Sequence, residues 1–479
     1  MTRRHLIAAR AVLSAMLSVL SACRVGPDYR PPAHPAGADA PLVSFNAATE
    51  SPIEPPDDWW KLYSDARLDA LVQEAFAANV DLAAAEANLT AAAAVLSAAR
   101  AGRYPETRAT GGATFGRDPV TEEILEFGGH QPETVWILED LVEVSYEVDL
   151  FGRVRRSVEA SQAGAQAQAA ARDGVRVVVA AETARAYAEI CALGEQLAVA
   201  RRSLEVVSRE ADITSHRHDD GADSEFDVVR AEGLVAQTRS AIAPLEGRRR
   251  ATLFQLAALL GRTPANAPIE TESCQSPPAL AALIPVGDGA ALLKRRPDVR
   301  QAERTLAAAT ARIGVATADL YPKISLSGLY GGVGLTSSDL INGTGLAWGI
   351  GPSISWSFPN QALPRARIRQ AKANAAAALA GFDSAVLTAL KETEQSLALY
   401  GSALDYRQSL AEAQSRAHQA FDMAHEQFLA GSVSNLDLLT AEQALVAADA
   451  AVAASDSALI QDQIAVFKAL GGGWRSNPQ

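Results

Sequence analysis

The chain contains the same pattern twice, and this repetition restricts its fold more than any other feature of the sequence. Residues 221–232 and 431–442 both fit Gly-x-x-Ser-x-x-Asp-x-x-x-Ala-Glu, at an offset of 210 (431 − 221). Upstream, residues 79–89 and 296–306 share Asp, Ala-Glu and Leu at matching positions, at an offset of 217 (296 − 79). Because each offset stays constant over several matching residues, the sequence predicts an internal duplication. Each element of the first half should therefore have a counterpart in the second half.

Each copy of the pattern predicts a tight turn between two long helices. Gly221 and Gly431 follow alanine-rich runs, and glycine readily adopts the left-handed conformation that ends a helix. The serine three residues after each glycine is a favourable N-cap for the next helix. Asp227 and Asp437 then fall in the first helical turn, where the helix dipole favours negative charge. That interaction alone would account for both aspartates.

Composition excludes several classes of protein. The 479 residues carry a formal net charge of −13, which disfavours nucleic acid as a partner. Three cysteines are too few for a disulfide scaffold, and we expect Cys191 and Cys274 to be free, buried small residues. After the N-terminus, no apolar run is expected to be long enough for a membrane-spanning helix. No nucleophile motif, phosphate-binding loop or paired catalytic carboxylates stand out, so we predict neither an enzyme nor a cofactor.

Residues 1–22 predict a signal peptide. Arginines form its basic start, residues 6–20 form its apolar centre, and Leu20-Ser21-Ala22-Cys23 closes it. This ending resembles the bacterial lipoprotein signal, in which the cysteine is lipidated and becomes the first residue of the mature protein. An ordinary signal peptide that happens to contain a cysteine is the alternative. We therefore expect Cys23 to carry a lipid anchor.

The rest of the chain divides into an arm, two repeats and a linker. Residues 23–60 are proline-rich and should form an extended arm that ends at Trp59-Trp60, a packing anchor. The first repeat is expected at 61–262, an irregular linker at 263–288, the second repeat at 289–474 and a short tail at 475–479. Each repeat should contain a helix, two strands and a pair of long helices joined by the glycine turn.

Helical spacing predicts where the helices of each repeat lie. The first helix should span Leu68 to Arg100. Long helices are expected from Gly152 to Asp220 and from Gln361 to Ala430. At 1.5 Å per residue, about 65 residues of helix span roughly 100 Å. Pro244 should kink the return helix of the first repeat.

A period of two predicts two strands in each repeat, joined by loops at 118–133 and 336–345. In the second strand of the first repeat, apolar residues share one side, interrupted by Asp140, and acidic residues share the other. The acidic residues are Glu139, Glu143, Glu147 and Asp149. If the polar side lines a water-filled lumen, these four acids should make an open channel prefer cations.

Strands with one apolar and one polar face can separate lipid from water. Aromatic residues near the strand ends and strand lengths of about ten residues are typical of a membrane barrel, and a soluble sandwich is the alternative. Four strands per chain are too few for a closed barrel, which starts at about eight, and open edges are not tolerated in lipid. The barrel must therefore be shared, in a dimer or a trimer. The polar face favours a transport conduit over a structural or adhesive envelope lipoprotein.

Two pairs of histidines could in principle bind a metal ion. His216 and His218 lie two residues apart, so they do not share a helix face, and we interpret them as part of a solvated helix end. His418 and His425 lie seven residues apart among carboxylates, and we interpret them as an exposed polar stripe. We therefore predict no metal site.

Five segments together resemble the TolC-like outer membrane factors, in particular the outer membrane efflux lipoproteins of the NodT type. They are Cys23–Tyr29, Trp59-Trp60, Tyr146–Arg153, Arg296–Glu303 and Ala469–Trp474. The resemblance covers essentially the whole chain. It implies a homotrimer with a 12-stranded outer membrane β-barrel, four strands from each chain, and a long periplasmic α-helical coiled-coil barrel.

The resemblance also implies a function. The trimer would be a passive conduit that exports drugs or other small toxic compounds across the outer membrane. It would dock with a periplasmic membrane-fusion adaptor and an inner-membrane pump of the resistance-nodulation-division (RND) class. A channel for type I protein secretion or for metal-ion efflux is the alternative.

The glycine turns acquire a role through the same resemblance. In the family, the turns lie at the periplasmic tip, where inward-facing aspartates narrow the closed pore. Asp437 matches one such position. The family's other acidic position falls on Thr440, where this chain departs from the pattern of two acidic rings. Asp227 is the first-half equivalent and is expected to lie off the narrowest ring.

Overall fold

The computed structural model describes residues 25–117, 134–280 and 283–472. Its helices are α1 Ala66–Ala78, α2 Val80–Ala101, α3 Arg153–Asp219, α4 Glu225–Ser240, α5 Ile242–Leu259, α6 Gly289–Arg295, α7 Pro297–Ala318, α8 Ser337–Ile341, α9 Ala362–Leu429 and α10 Asn435–Ala469. Its strands are β1 Glu50–Ser51, β2 Glu106–Gly116, β3 Val135–Val148, β4 Ile284–Pro285, β5 Lys323–Gly334 and β6 Leu346–Ser355. The predicted signal peptide with Cys23, the loop at 118–133 and the tail at 475–479 lie outside the described residues.

The two longest helices confirm the prediction from sequence. α3 and α9 begin and end within one residue of the predicted bounds. They contain 67 and 68 residues, so each spans about 100 Å. Alanine and other good helix formers dominate both, and Pro364 lies in the first turn of α9, where a missing amide is tolerated.

The prediction of one continuous helix from Leu68 to Arg100 is wrong, because the structure contains two helices, α1 and α2, in this segment. Asn79 adopts an extended backbone (φ −67°, ψ 127°) between α1 and α2. Its side-chain oxygen accepts hydrogen bonds from the amides of Asp81 and Leu82 at 3.0 Å, which caps α2, and its amide nitrogen donates to the carbonyl of Leu259 at 3.0 Å. Asparagine is one of the best N-caps, so a break needs no proline here.

The return helix of the first half is interrupted at Ala241, just before Pro244, where a kink is predicted, while its counterpart is continuous. α4 ends at Ser240 and α5 begins at Ile242. Pro244 has no amide to donate to the carbonyl of Ser240, and this lost hydrogen bond accounts for a break at that point. In the second half, α10 runs unbroken for 35 residues. The predicted loop at 336–345 contains the short helix α8.

Three helices, α2, α9 and α10, are long and apolar enough to cross a membrane by length and composition. The expectation that the chain has no such run is therefore wrong by this measure. Much of the apolar content of these helices is alanine. Alanine buries a single methyl group, so such a helix counts as apolar but gains little from leaving water.

The chain forms two compact units, which are considered separately. The first consists of the described parts of Met1–Pro32, Leu89–Ala167 and Ala302–Phe382 and contains an antiparallel sheet in the order β2-β3-β5-β6. The second consists of Ala33–Asn88, Gln168–Gln301 and the described part of Asp383–Gln479 and is helical apart from β1 and β4, which pair in parallel. Both glycine turns lie in the second unit.

The core of the second unit confirms Trp59-Trp60 as a packing anchor. Trp59 is fully buried and stacks on Phe467 of α10, with the ring centroids 4.8 Å apart. Trp60 is also buried, and its indole N–H donates to Asp69 at 2.9 Å. Burying aromatic side chains of this size is worth several kcal/mol each. The arm is thereby fixed to the helices at its C-terminal end.

The prediction that Cys191 and Cys274 are free is wrong, because they form a disulfide bond across a sequence separation of 83 residues. Cys191 lies within α3 and is fully buried, while Cys274 belongs to the linker. A disulfide is stable in an oxidising compartment such as the bacterial periplasm.

The linker is held against α3 by contacts that the sequence does not reveal. Arg249 of α5 donates to the carbonyl oxygens of Cys274 at 2.9 Å and of Ile190 at 3.2 Å, and also to that of Glu272. Gly194 lies on α3 beneath the linker, where an added Cβ would meet the Cys274 carbonyl oxygen at 2.3 Å. The absent side chain at Gly194 lets the linker approach closely enough for the disulfide to form.

Candidate functional site

Both glycine turns have the geometry that the sequence predicts. Gly221 has φ +77° and Gly431 has φ +71°, in the left-handed region. The amide of each glycine donates to the carbonyl three residues before it, and the following amide donates to the carbonyl five residues before it, at 2.8–2.9 Å. This is the Schellman arrangement that ends a helix.

Asp227 and Asp437 occupy matching positions in two capping boxes. Asp437 accepts hydrogen bonds from the Ser434 hydroxyl at 2.6 Å and the Ser434 amide at 3.1 Å, while its own amide donates to the Ser434 hydroxyl. Asp227 makes the same three bonds with Ser224. The hydroxyl and amide of Ser434 hold the pKa of Asp437 below its usual range. Asp437 therefore stays ionised at neutral pH.

Exposure differs around the two turns. Asp437 and Thr440 are exposed in the single chain, whereas Asp227 is partly covered. The Thr440 hydroxyl donates to the carbonyl of Leu436 at 2.7 Å. Thr440 therefore places a neutral side chain one turn from Asp437.

Side chains connect the first turn to the helices of the second half. Arg217, in the last turn of α3, donates to Asp223 at 2.9 Å and lies over the ring of Phe428 in α9, 4.4 Å from its centroid. Asn435, at the start of α10, donates to the Thr214 hydroxyl of α3 at 3.0 Å. The ends of α3, α9 and α10 are thus held together by polar and cation–π contacts.

One buried group near the turns was missed by sequence reasoning. Glu442 ends the repeated pattern and is 1 % exposed, Glu210 of α3 is also buried, and His425 of α9 lies beside Glu210. His425 is only partly exposed, since 32% of its side chain is accessible and its ring faces Glu210, so it belongs only in part to the predicted exposed stripe. The sequence did contain a signal for this group. Glu442 lies beyond the first turn of its helix, so neither the cap nor the helix dipole explains a glutamate at this position.

The sheet of the first unit confirms the predicted alternation. β3 pairs with β2 and with β5, and β5 pairs with β6, so that Val142, Tyr330 and Trp348 lie side by side on one face. Large apolar side chains on this face are exposed in the single chain. They include Val142, Val144, Leu326, Tyr330, Trp348, Ile350 and Ile354. An exposed apolar surface of this extent marks contact with another apolar phase.

The opposite face carries two of the predicted acids. Glu139 and Glu143 lie on β3, and the register places Arg108 of β2 directly across from Glu143 on the same face. Glycine and serine of β5 and β6 occupy much of the rest of this face, for example Ser327 and Gly351.

The other two acids have local partners. Glu147 forms an ion pair with Arg153, whose Nε donates at 2.7 Å, so its charge is balanced. Asp149 lies one residue beyond β3, and its carboxylate accepts from the amides of Val154 and Arg155 at 2.9 and 2.8 Å. The placement of Asp149 on the strand is therefore wrong: it caps the N-terminus of α3, where the helix dipole favours a carboxylate.

Within the described residues, no group of three or more His, Cys, Asp and Glu side chains is arranged to hold a metal ion. The His218 ring nitrogen lies 3.0 Å from the carbonyl oxygen of Asp223, and His418 lies 3.0 Å from Asp449. These local contacts account for both side chains.

The chain matches the family described as "Outer membrane efflux protein" over residues 71–262 and 290–472. It is 29% identical over 469 residues to nodulation protein T of Rhizobium leguminosarum bv. viciae, covering 97% of this chain and 94% of that protein. It is also 29% identical over 463 residues to the pyoverdine export outer membrane protein OpmQ of Pseudomonas aeruginosa, covering 93% and 94%. The structure of the outer-membrane channel OprN superposes with a TM-score of 0.84 and 33% identity, covering 94% of this chain and 100% of that one. The chain belongs to the outer membrane efflux protein family.

Proposed function

We propose that three copies of this chain form one 12-stranded barrel and a periplasmic helical tunnel, and that the trimer is the outer membrane conduit of a three-part efflux assembly. The sheet carries this proposal. Its order gives β2 and β6 one strand neighbour each within the described chain, and its apolar face is exposed. Unpaired backbone groups are costly in lipid, so β2 of one copy would pair with β6 of the next.

Membership of the family supports the partners and the cargo proposed here. A periplasmic membrane-fusion adaptor and an inner-membrane RND pump would supply the connection and the energy, since a passive conduit has no energy source of its own. OpmQ is named for pyoverdine export. We therefore propose small organic molecules as the cargo of this chain.

Neighbouring residues of β6 provide a matched test of the two faces. Ile350 is 74% exposed on the apolar face. Ile350→Arg should place three charges in lipid, at about 2–4 kcal/mol each, and prevent assembly in the outer membrane. Gly351 lies on the other face, and an added Cβ there meets no atom within 4 Å. Gly351→Arg should therefore assemble normally.

The readout is the amount of each variant in purified outer membranes, together with ethidium accumulation in cells that lack the native gene. Wild type should lower ethidium accumulation, and Ile350→Arg should fail to do so. Equal assembly of the two variants, or loss of Gly351→Arg alone, would contradict the proposed orientation of the sheet. If cells accumulate the same amount of ethidium with and without the wild-type protein, the efflux role for this class of cargo would be contradicted.

Arg156 supports a lipid anchor at Cys23. Its guanidinium is buried and donates to the carbonyl oxygens of Val25 at 3.3 Å and Gly26 at 3.1 Å, and to the carboxylate of Asp28 at 2.9 Å. The backbone is therefore fixed two residues after Cys23. A lipid anchor at Cys23 would therefore be joined to the folded protein by a short segment of chain.

Cys23→Ser should abolish labelling by palmitate but leave an assembled protein, because the barrel holds the trimer in the membrane and acyl chains only add to that anchoring. Radiolabelled palmitate incorporation and outer membrane fractionation measure the two effects. A wild-type protein that takes up no palmitate would show that Cys23 is not lipidated.

The gate belongs to the same proposal. In a symmetric trimer, three copies of Asp437 would form one acidic ring at the periplasmic tip, with neutral Thr440 one turn away and Asp227 at a larger radius. Glu139 and Glu143 would line the lumen of the barrel, while Glu147 is neutralised by Arg153.

A further inference from the structure

The two glutamates that end the repeated pattern have opposite environments. Glu232 of α4 is exposed, whereas Glu442 of α10 is 1% exposed. Their local helix contexts match, because both lie five residues after an aspartate in a capping box. Burial of Glu442 is therefore due to packing in the second half and not to its local sequence. Glu232 has the same local context without the burial, so it serves as an internal control.

The space around Glu442 contains polar atoms without hydrogen-bond partners. In the described structure, Oε1 of Glu442 and Oε2 of Glu210 are buried and accept no hydrogen bond, and the same holds for Oδ1 of Asn435, about two turns earlier on α10. His425 Nδ1 lies 3.2 Å from Oε1 of Glu210, within ion-pair distance, but it is not aligned for a hydrogen bond. A buried carboxylate without donors is costly while it is ionised.

The charged groups facing this space come from three helices. α3 contributes Glu210, α9 contributes His425 and α10 contributes Glu442 itself. α4 packs nearby through Leu234, while its Arg230 lies over the ring of Phe226. The arrangement therefore contains two carboxylates and one histidine.

Burial, and next the charge of Glu210, raise the pKa of Glu442 to about 7. Burial also raises the pKa of Glu210, and the neighbouring His425 opposes that shift. Two carboxylates that share a buried site commonly hold one proton between them at neutral pH. Asp437, whose pKa is lowered, stays ionised over the same pH range.

We propose that Glu442 is a proton-binding residue that is neutral while α10 packs against α3, and that its deprotonation weakens this packing next to the tip turn. The protonated carboxyl carries its own hydrogen-bond donor, which an ionised carboxylate lacks, and the buried Oε2 of Glu210 is an acceptor without a partner. The ionised form places a second negative charge beside Glu210.

The direction of the pH effect follows from the raised pKa. The packed arrangement is fully favoured below the ordinary pKa of a glutamate, and this advantage is lost as pH rises through about 7. Between about pH 6 and pH 8, the protonated fraction of Glu442 should fall from about 90% to about 10%. The consequence for the channel rests on the proposed function, whereas protonation itself does not.

Infrared difference spectra between pH 6 and pH 8 test protonation on the purified wild-type protein without any transport assay. The carbonyl stretching band of a protonated carboxyl should be lost at the higher pH. Other buried acids with a raised pKa, such as Asp173, add to this signal, so the assignment uses the difference between wild type and Glu442→Gln. The band should be smaller in Glu442→Gln and unchanged in Glu232→Gln. A band unchanged in Glu442→Gln, or reduced only in Glu210→Gln, would overturn the proposal.

Channel recordings at the same two pH values test the loosening. Wild type and Glu232→Gln should open several-fold more often at pH 8 than at pH 6, at most about tenfold per pH unit. Glu442→Gln, which mimics the neutral acid, should keep the pH 6 value at both. If opening no longer depends on pH in His425→Gln but still does in Glu442→Gln, the effect belongs to the histidine and the proposal is overturned. A wild-type protein that conducts at neither pH, with the infrared band present, would contradict the proposed function and leave the proton site supported.

Discussion

Replacing Asp437 with alanine is expected to raise the conductance of the channel and its leakage of antibiotics into cells at least several-fold. In the proposed trimer, three carboxylates from Asp437 narrow the tip and hold cations there. In the single chain, Ser434 lowers the pKa of Asp437, which favours the ionised form. Methyl groups in their place leave a wider opening, while the contacts of Arg217 and Asn435 keep the ends of α3, α9 and α10 together.

Asp227→Ala is the matched control for this experiment. Asp227 makes the same three capping-box hydrogen bonds as Asp437, so both substitutions disturb the local helix start alike. Only Asp437 is expected to line the narrowest ring, so Asp227→Ala should conduct like wild type. The gate assignment fails if both variants conduct like wild type, or if Asp227→Ala alone opens the channel.

Removing the disulfide with Cys191→Ser and Cys274→Ser is expected to destabilise the helical unit by about 4–5 kcal/mol. The estimate follows from the loop-closure entropy of the unfolded chain, since the bond joins residues 83 apart. Cys191 is fully buried, so a serine hydroxyl there would add to the loss unless it finds a partner. Cys191→Ala with Cys274→Ser separates the loss of the bond from the buried hydroxyl.

Chemical denaturation followed by circular dichroism, with and without reductant, measures this loss. The double variant should unfold at a lower denaturant concentration, and reductant should shift wild type toward it but leave the variant unchanged. Alkylation of both cysteines in unfolded, unreduced wild-type protein would show that the bond is absent.

Local patterns predicted the long helices, the four strands of the sheet and both glycine turns. The long helices are rich in alanine and lack interior proline, and the strands alternate apart from Asp140, so local propensity and burial agree. The two turns follow from a glycine that must adopt positive φ and a serine that must cap, which are requirements of single residues.

The remaining features depend on partners distant in sequence. The disulfide needs the linker to fold back under Arg249 and over Gly194. Burial distinguishes Glu442 from Glu232 although their sequence contexts match. Asp149 continues the alternation of the strand in sequence, but its carboxylate accepts hydrogen bonds from the first amides of α3. Tertiary contacts therefore decided the chemistry where local patterns allowed two readings.

Planar-bilayer recording of the purified wild-type protein tests whether copies of this chain share a barrel and conduct across the outer membrane. A shared barrel should give discrete current steps of uniform size. A preference for cations should appear in the reversal potential in a salt gradient, because Glu139 and Glu143 would line the lumen of the proposed trimer. Bilayers that show no steps beyond those of protein-free detergent would contradict the claim that this chain forms a channel.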